Sequence, residues 1–116
     1  MSATKINIYD RELFIIKGQY TTNGAVAISL YEKTGDEVEP FLDLTTNIDG
    51  ATALLQENEI FVKTWSENEP FIKQLLESGY FEDTGKRHDL GFVQAHIWKI
   101  VKEITDIEDI KGPEDL

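Results

Sequence analysis

The chain has 116 residues, no cysteine, and twenty-two Asp and Glu against eleven Lys and Arg, a formal net charge of -11. The missing cysteine excludes disulfides, thiolate nucleophiles and Cys-based zinc sites. Charge of this sign disfavours nucleic acid and anionic membranes and favours basic protein surfaces. Six Phe, four Tyr and two Trp within a 41% hydrophobic composition suffice for one core. A single domain over residues 1–104 is therefore expected.

The run Met1-Ser2-Ala3-Thr4-Lys5 leads into a short amphipathic stretch, not the apolar core of a signal peptide. No stretch approaches the roughly 20 apolar residues of a membrane span. A soluble, cytoplasmic protein is expected. Strands are predicted over Lys5 to Tyr9 and Leu13 to Gln19, with a tight turn at Asp10-Arg11. Thr22-Asn23-Gly24 carries the Asn-Gly hairpin signal. Ala25 to Glu32 then places Val26, Ile28 and Leu30 on one face. After a turn at Lys33-Thr34-Gly35-Asp36, a strand over Val38 to Thr46 places Leu42 and Leu44 opposite Phe41, Asp43 and Thr45. Pro40 lacks an amide donor, which marks an edge or a strand start.

Asp49-Gly50 is a turn, and Ala51 to Gln56 is a short helical turn or a loop. Glu59 to Trp65 alternates Ile60, Val62 and Thr64 with Phe61, Lys63 and Trp65. The main helix starts at Ser66. Ser66 and Glu69 have capping-box spacing, Pro70 lies in the first turn, and Phe71, Ile72, Leu75 and Leu76 form the apolar stripe. Gly79 suits the position just past the helix end. Tyr80 to Gly91 reads as a polar connection. Phe92 to Ile104 reads as a central strand, apolar on both faces and rich in β-branched and aromatic residues; a helix is the competing reading. The acidic tail, residues 105–116, contains Gly112-Pro113 and is expected to fray. The fold class is α+β: a mostly antiparallel sheet of five or six strands with one main helix packed on one face.

No residue set carries a catalytic or metal-binding pattern. His88-Asp89 could serve as a general-base dyad, but no nucleophile accompanies it. His96 has no second ligand at metal spacing. Thr84-Gly85-Lys86-Arg87 lacks the first glycine of a phosphate loop, although Lys86-Arg87 is the chain's adjacent basic pair. Trp65 and Trp98 read as core residues. Catalytic, cofactor and metal residues are accordingly expected to be absent, and the chain is not expected to be an enzyme. The carboxylates concentrate in three segments: Glu32 to Asp49, Glu57 to Glu69, and the tail. Glu37/Glu39, Glu57/Glu59 and Glu67/Glu69 are spaced two apart. In an extended strand that spacing points both side chains one way, roughly 6.6 Å apart. The candidate partner-binding residues are Glu32, Asp36, Glu37, Glu39, Asp43, Glu57, Glu59, Glu67 and Glu69.

Tyr20-Thr21-Thr22-Asn23-Gly24-Ala25-Val26-Ala27-Ile28 and Glu39-Pro40-Phe41-Leu42-Asp43-Leu44-Thr45-Thr46-Asn47 are followed by Ile60-Phe61-Val62, a helix from Pro70 to Gly79, and Thr84-Gly85-Lys86 leading to Gly91-Phe92. In this order the motifs resemble a family of short uncharacterised proteins found on plasmids, conjugative elements and phages of Gram-positive bacteria. The chain departs from it with Phe71 where the family tends to have Trp, and with its acidic tail. The resemblance implies an accessory gene of a mobile element, a setting in which small acidic proteins inhibit host defence, as anti-restriction and anti-CRISPR proteins do. The functional expectation is thus a non-enzymatic acidic module that binds a protein with a basic, nucleic-acid-binding surface, without binding nucleic acid or membrane itself. The alternative is a homo-oligomeric interaction protein, paired through an edge strand, whose charge serves solubility.

Overall fold

The computed structural model describes residues 3–116, of Pro113 the backbone alone; Met1 and Ser2 of the N-terminal run lie outside the described residues. Strands β1 (Thr4–Ile8), β2 (Arg11–Gln19), β3 (Val26–Thr34) and β4 (Glu37–Asp43) form an antiparallel meander in chain order. Strands β5 (Glu59–Val62), β6 (Phe81–Asp89) and β7 (Gln94–Ile100) form a second antiparallel sheet in the order β5-β7-β6. The fold is α+β with one main helix, and the expected sheet of five or six strands is replaced by sheets of four and three.

The split has a local cause. Beyond Asp43 the chain leaves the β4 ladder and bonds to both sheets. Leu44 donates its amide to Ile28 (2.9 Å), Lys63 donates to the Leu44 carbonyl (2.8 Å), and Thr46 donates to Phe61 (3.0 Å). The predicted strand to Thr46 is therefore a strand followed by a seam. A bulge opposite Leu30/Tyr31 leaves Phe41 as the extra residue of β4. Phe41 consequently packs against the same cluster as Leu42, not on the opposite face.

Three connections obey turn chemistry. Tyr9 and Asp10 both have positive φ, as a two-residue type I′ loop requires, one residue earlier than predicted. In the β2–β3 loop only Gly24 of the Asn-Gly pair has positive φ, and Asn23 instead accepts the Ala25 amide through its side chain. Leu90 to Val93 connect β6 and β7; the Leu90 amide donates to Val93 (2.9 Å) and Gly91 turns the chain between them at φ +99°.

One cluster joins the sheets. Ile6, Leu13, Ile15, Ile28, Leu30 and Leu42 from the first pack with Ile60, Val62, Phe81 and Trp98 from the second and with Leu75 of the helix. A smaller cluster of Ala51, Phe61, Ala95 and Ile97 lies on the other face of the second sheet, beneath Ile48, Leu55 and Trp65. Both faces of β7 are thus buried, and its alternation separates Trp98 from Ala95 and Ile97.

Helix α1 (Ile72–Glu77) is preceded by a 3-10 segment, Ser66–Phe71. The expected capping box is not formed. Ser66 has φ +61°, and no side chain caps the segment. The residue before a proline avoids the α region, so an α-helix starts after Pro70. Asn68 holds the segment down by donating to the carbonyls of Asp43 (2.7 Å) and Lys63 (2.9 Å). Gly79, at φ +85°, takes the place past the helix end as predicted.

The polar connection predicted over Tyr80 to Gly91 is strand β6. Its apolar content is low because it is an edge strand, with most of its residues exposed. Between Asp83 and Arg87 it bulges, so Thr84, Gly85 and Lys86 lie where β7 supplies one residue.

Beyond Ile104, where composition suggests fraying, the chain packs on the first sheet. Thr4 and Thr105 exchange backbone-to-hydroxyl bonds (3.1 Å each way), and Lys17 donates to Thr105 (2.9 Å). Strand β1 begins opposite Ile15, so residues 105–106 continue its line along β2. Ile107, Ile110 and Leu116 then line, with Ile16, Tyr31 and Val38, a groove of about 280 Å³ on the outer face. Phe14 and Ile16 face away from the main core, yet are 2% and 5% exposed.

Candidate functional site

The β3–β4 hairpin brings four of the predicted acidic residues together. Glu39 lies opposite Glu32, and Glu37 is two residues from Glu39, so the three share one face. Asp36 occupies the turn. Like charges directly opposite on adjacent strands repel. Arg11 relieves part of this by donating to both Glu32 oxygens (2.9 and 3.1 Å), its guanidinium also lying over the Phe41 ring. Among the described residues, Asp36, Glu37 and Glu39 have no Lys or Arg at ion-pair distance. The tail reaches the same end of the sheet. Lys33 donates to the Leu116 carbonyl (3.4 Å), and Leu116 shares its groove with Val38 of β4. The tail therefore reaches this end of the sheet on its outer face, to which Lys33 and Val38 point, while Glu32, Glu37 and Glu39 lie on the opposite face.

The other predicted residues do not join them. Asp43 pairs in register with Ser29, three residues from Glu32 along β3 and hence on the opposite face, and accepts the Ser29 hydroxyl (2.9 Å). Glu59 is buried on the second sheet. Lys86 binds it from β6 (2.7 Å), and that hydrogen bond, with the Gln56 amide, holds its carboxyl below the ordinary range. Glu67 is bonded to Lys63 (2.7 Å), which lowers its carboxyl to about 2. Glu57 and Glu69 are exposed beside these pairs. The spacing i,i+2 failed as a guide here because Ser66–Phe71 is helical and Glu59 opens a strand buried on both faces.

The basic pair is likewise absorbed. Arg87 forms a two-pronged bond to Asp83 (2.8 and 2.9 Å) across the bulge, and the Asp83 carboxyl is lowered chiefly by it. The i,i+4 spacing suggests a helix pair, but here the bulge makes the contact. His96 sits 4.0 Å from Asp83 with its Nδ1 otherwise unpartnered; burial, then Arg87, pushes its pKa down. His88 leans on Phe61 (5.5 Å between rings), whereas the Asp89 carboxylate accepts the Gly91 amide (2.8 Å). Successive strand residues point to opposite faces, so His88-Asp89 is not a dyad. No group of three or more metal-ligating side chains occurs among the described residues, and no helix there is long and apolar enough to cross a membrane.

One feature escaped the sequence reading. Phe92, expected inside the last strand, stands at the β6–β7 hairpin tip and is fully exposed at 103%, with Leu90 beside it at 37%. A Gly followed by an aromatic at the start of a β-rich run signals a strand equally well, so periodicity could not separate the two. No family model, curated protein or solved structure matches the chain.

Proposed function

We propose that this chain is a non-enzymatic protein-binding module whose acidic hairpin end engages a basic protein surface. The observation that carries the reading is the set of carboxylates at Asp36, Glu37 and Glu39, without an ion-pair partner among the described residues, with Glu32 opposite Glu39. Charges held together against their repulsion lower stability, and an oppositely charged partner relieves that cost while accelerating encounter. The defence-inhibitor form of this reading, an anti-CRISPR or anti-restriction protein occupying a nucleic-acid groove, rests on the resemblance to mobile-element proteins alone. Binding of purified candidate nucleases is the test. The reading expects association that weakens steeply with salt and is reduced by a D36N/E37Q/E39Q variant; salt-independent affinity defeats it.

A second reading, a homo-oligomer joined edge to edge, draws on β1. Edge strand β4 carries Pro40 and a bulge, and β6 carries a wide bulge, whereas the five residues of β1 contain neither. Light scattering after size exclusion distinguishes the two: a dimer broken by Asn7→Pro supports the second.

A further inference from the structure

Beside the hairpin tip, Thr64, Trp65, Asp89, Phe92, Gln94 and His96 line an open cleft of about 490 Å³. Trp65 is partly buried and Phe92 fully exposed, so two aromatic side chains bound the cleft. Asp89 has one oxygen committed to the Gly91 amide and no cation at ion-pair distance among the described residues. None of the lining residues is Lys or Arg. The cations nearest in sequence, Lys86 and Arg87, are tied to Glu59 and Asp83. Nothing in the fold requires an aromatic at position 92: the turn is satisfied by Gly91, and Phe92 belongs to neither core cluster.

Aromatic faces carry negative potential and attract ammonium and guanidinium groups within about 6 Å of the ring. A carboxylate lining the same cleft, Asp89, supplies a charge-assisted hydrogen bond to such a group. We propose that this cleft takes the arginine or lysine side chain of a basic protein segment, as a second contact apart from the acidic hairpin end. The inference rests on the protein-binding reading above and names a site and a ligand group for it. The chain's net charge of -11 draws such a segment, and the cleft supplies the geometry that scattered carboxylates lack.

The test uses the whole chain and a nine-arginine peptide, followed by tryptophan emission. Trp98 is 0% exposed, so a change on peptide addition reports Trp65. The expected result is saturable binding with altered Trp65 emission, abolished as a signal by W65F and weakened about five- to tenfold by F92A and by D89N. The side-chain amide introduced by D89N retains an acceptor for the Gly91 amide, and Phe92 is exposed, so both variants keep the fold; unchanged melting checks this. The D36N/E37Q/E39Q variant is expected to bind more weakly yet retain the emission change. Unchanged affinity and emission change in both F92A and D89N overturn the cleft and leave the hairpin-end reading standing. No binding by the unmodified chain overturns both. An equal emission change with an uncharged, leucine-rich peptide overturns the cation assignment in favour of an apolar anchor.

Discussion

The two sheets differ in how far their charges are balanced. Residues 1–49 and 105–116, the first sheet with its seam and tail, hold thirteen Asp and Glu against five Lys and Arg; residues 50–104, mainly the second sheet and the helix, hold nine against six. In the second region three of the nine carboxylates are matched locally: Glu59 with Lys86, Asp83 with Arg87, Glu67 with Lys63. In the first, only Arg11–Glu32 and Lys5–Glu12 are paired among the described residues. The net charge of the chain therefore resides mostly in the first region. Charge in the second sheet organises an edge strand instead.

The strongest break of this comparison is in the shared core. Trp98 is fully buried on β7 and packs on Phe81 (5.7 Å between rings). Trp98→Ala should cost about 3–5 kcal/mol. Because one cluster spans both sheets, unfolding should remain a single transition by circular dichroism and by tyrosine emission. Two separate transitions would mean that the sheets are independent.

Removal of residues 106–116 comes next. It uncovers Ile16 and the rest of the outer-face groove, for an expected loss of about 2–3 kcal/mol, the worth of one buried large apolar side chain. Chemical denaturation measures the loss, and increased binding of a hydrophobic dye should accompany it. A tail that adds nothing to stability would leave both unchanged.

Lys86→Ala tests local pairing in the second sheet. Glu59 is left buried without its cation, and the expected cost is about 1–2 kcal/mol, since the lysine is partly solvated. The sign with pH follows from Glu59. Its folded pKa lies below the ordinary carboxylate value, so its contribution is present above that value and disappears as pH falls through the folded pKa. The difference between wild type and Lys86→Ala should therefore shrink on acidification below about pH 4. His96 adds a separate slope in the parent chain. Its folded pKa is depressed, so stability falls as pH drops below about 6.5, the unfolded value.

The smallest effect has the opposite sign. Glu39→Gln removes the like-charge pair with Glu32 and should stabilise the fold by about 0.2–1 kcal/mol at low salt, less as salt rises. A destabilised variant would show that Glu39 has a structural partner, and the hairpin end would lose its claim as a binding surface.

The periodicity of the chain was enough to place the elements whose side chains alternate or repeat against a core. Ile28 and Leu30, Ile60 and Val62, and Trp98 against Ile97 all lie on the faces that a two-residue period assigns. Gly79 ends the helix as its lack of a side chain suggests. Strand β6 was illegible because an edge strand with a bulge has few inward positions. The capping box failed because Ser66 took a left-handed conformation ahead of a proline-restricted turn. At the candidate site, the clustering of Glu32, Asp36, Glu37 and Glu39 was legible, being local to one hairpin. The burial of Glu59 against Lys86 was not, since those residues are twenty-seven apart in the chain and meet across β7.

Alone, the sequence determined composition, net charge, the α+β class and the inward faces of most strands, because these depend on residue type and on short-range spacing. Tertiary structure decided that the strands divide into two sheets at Leu44–Thr46, that the acidic tail lies on the outer face of the first sheet, and that Phe92 stands in solvent. Each of these depends on hydrogen bonds and contacts between residues far apart in the chain, which no local pattern encodes.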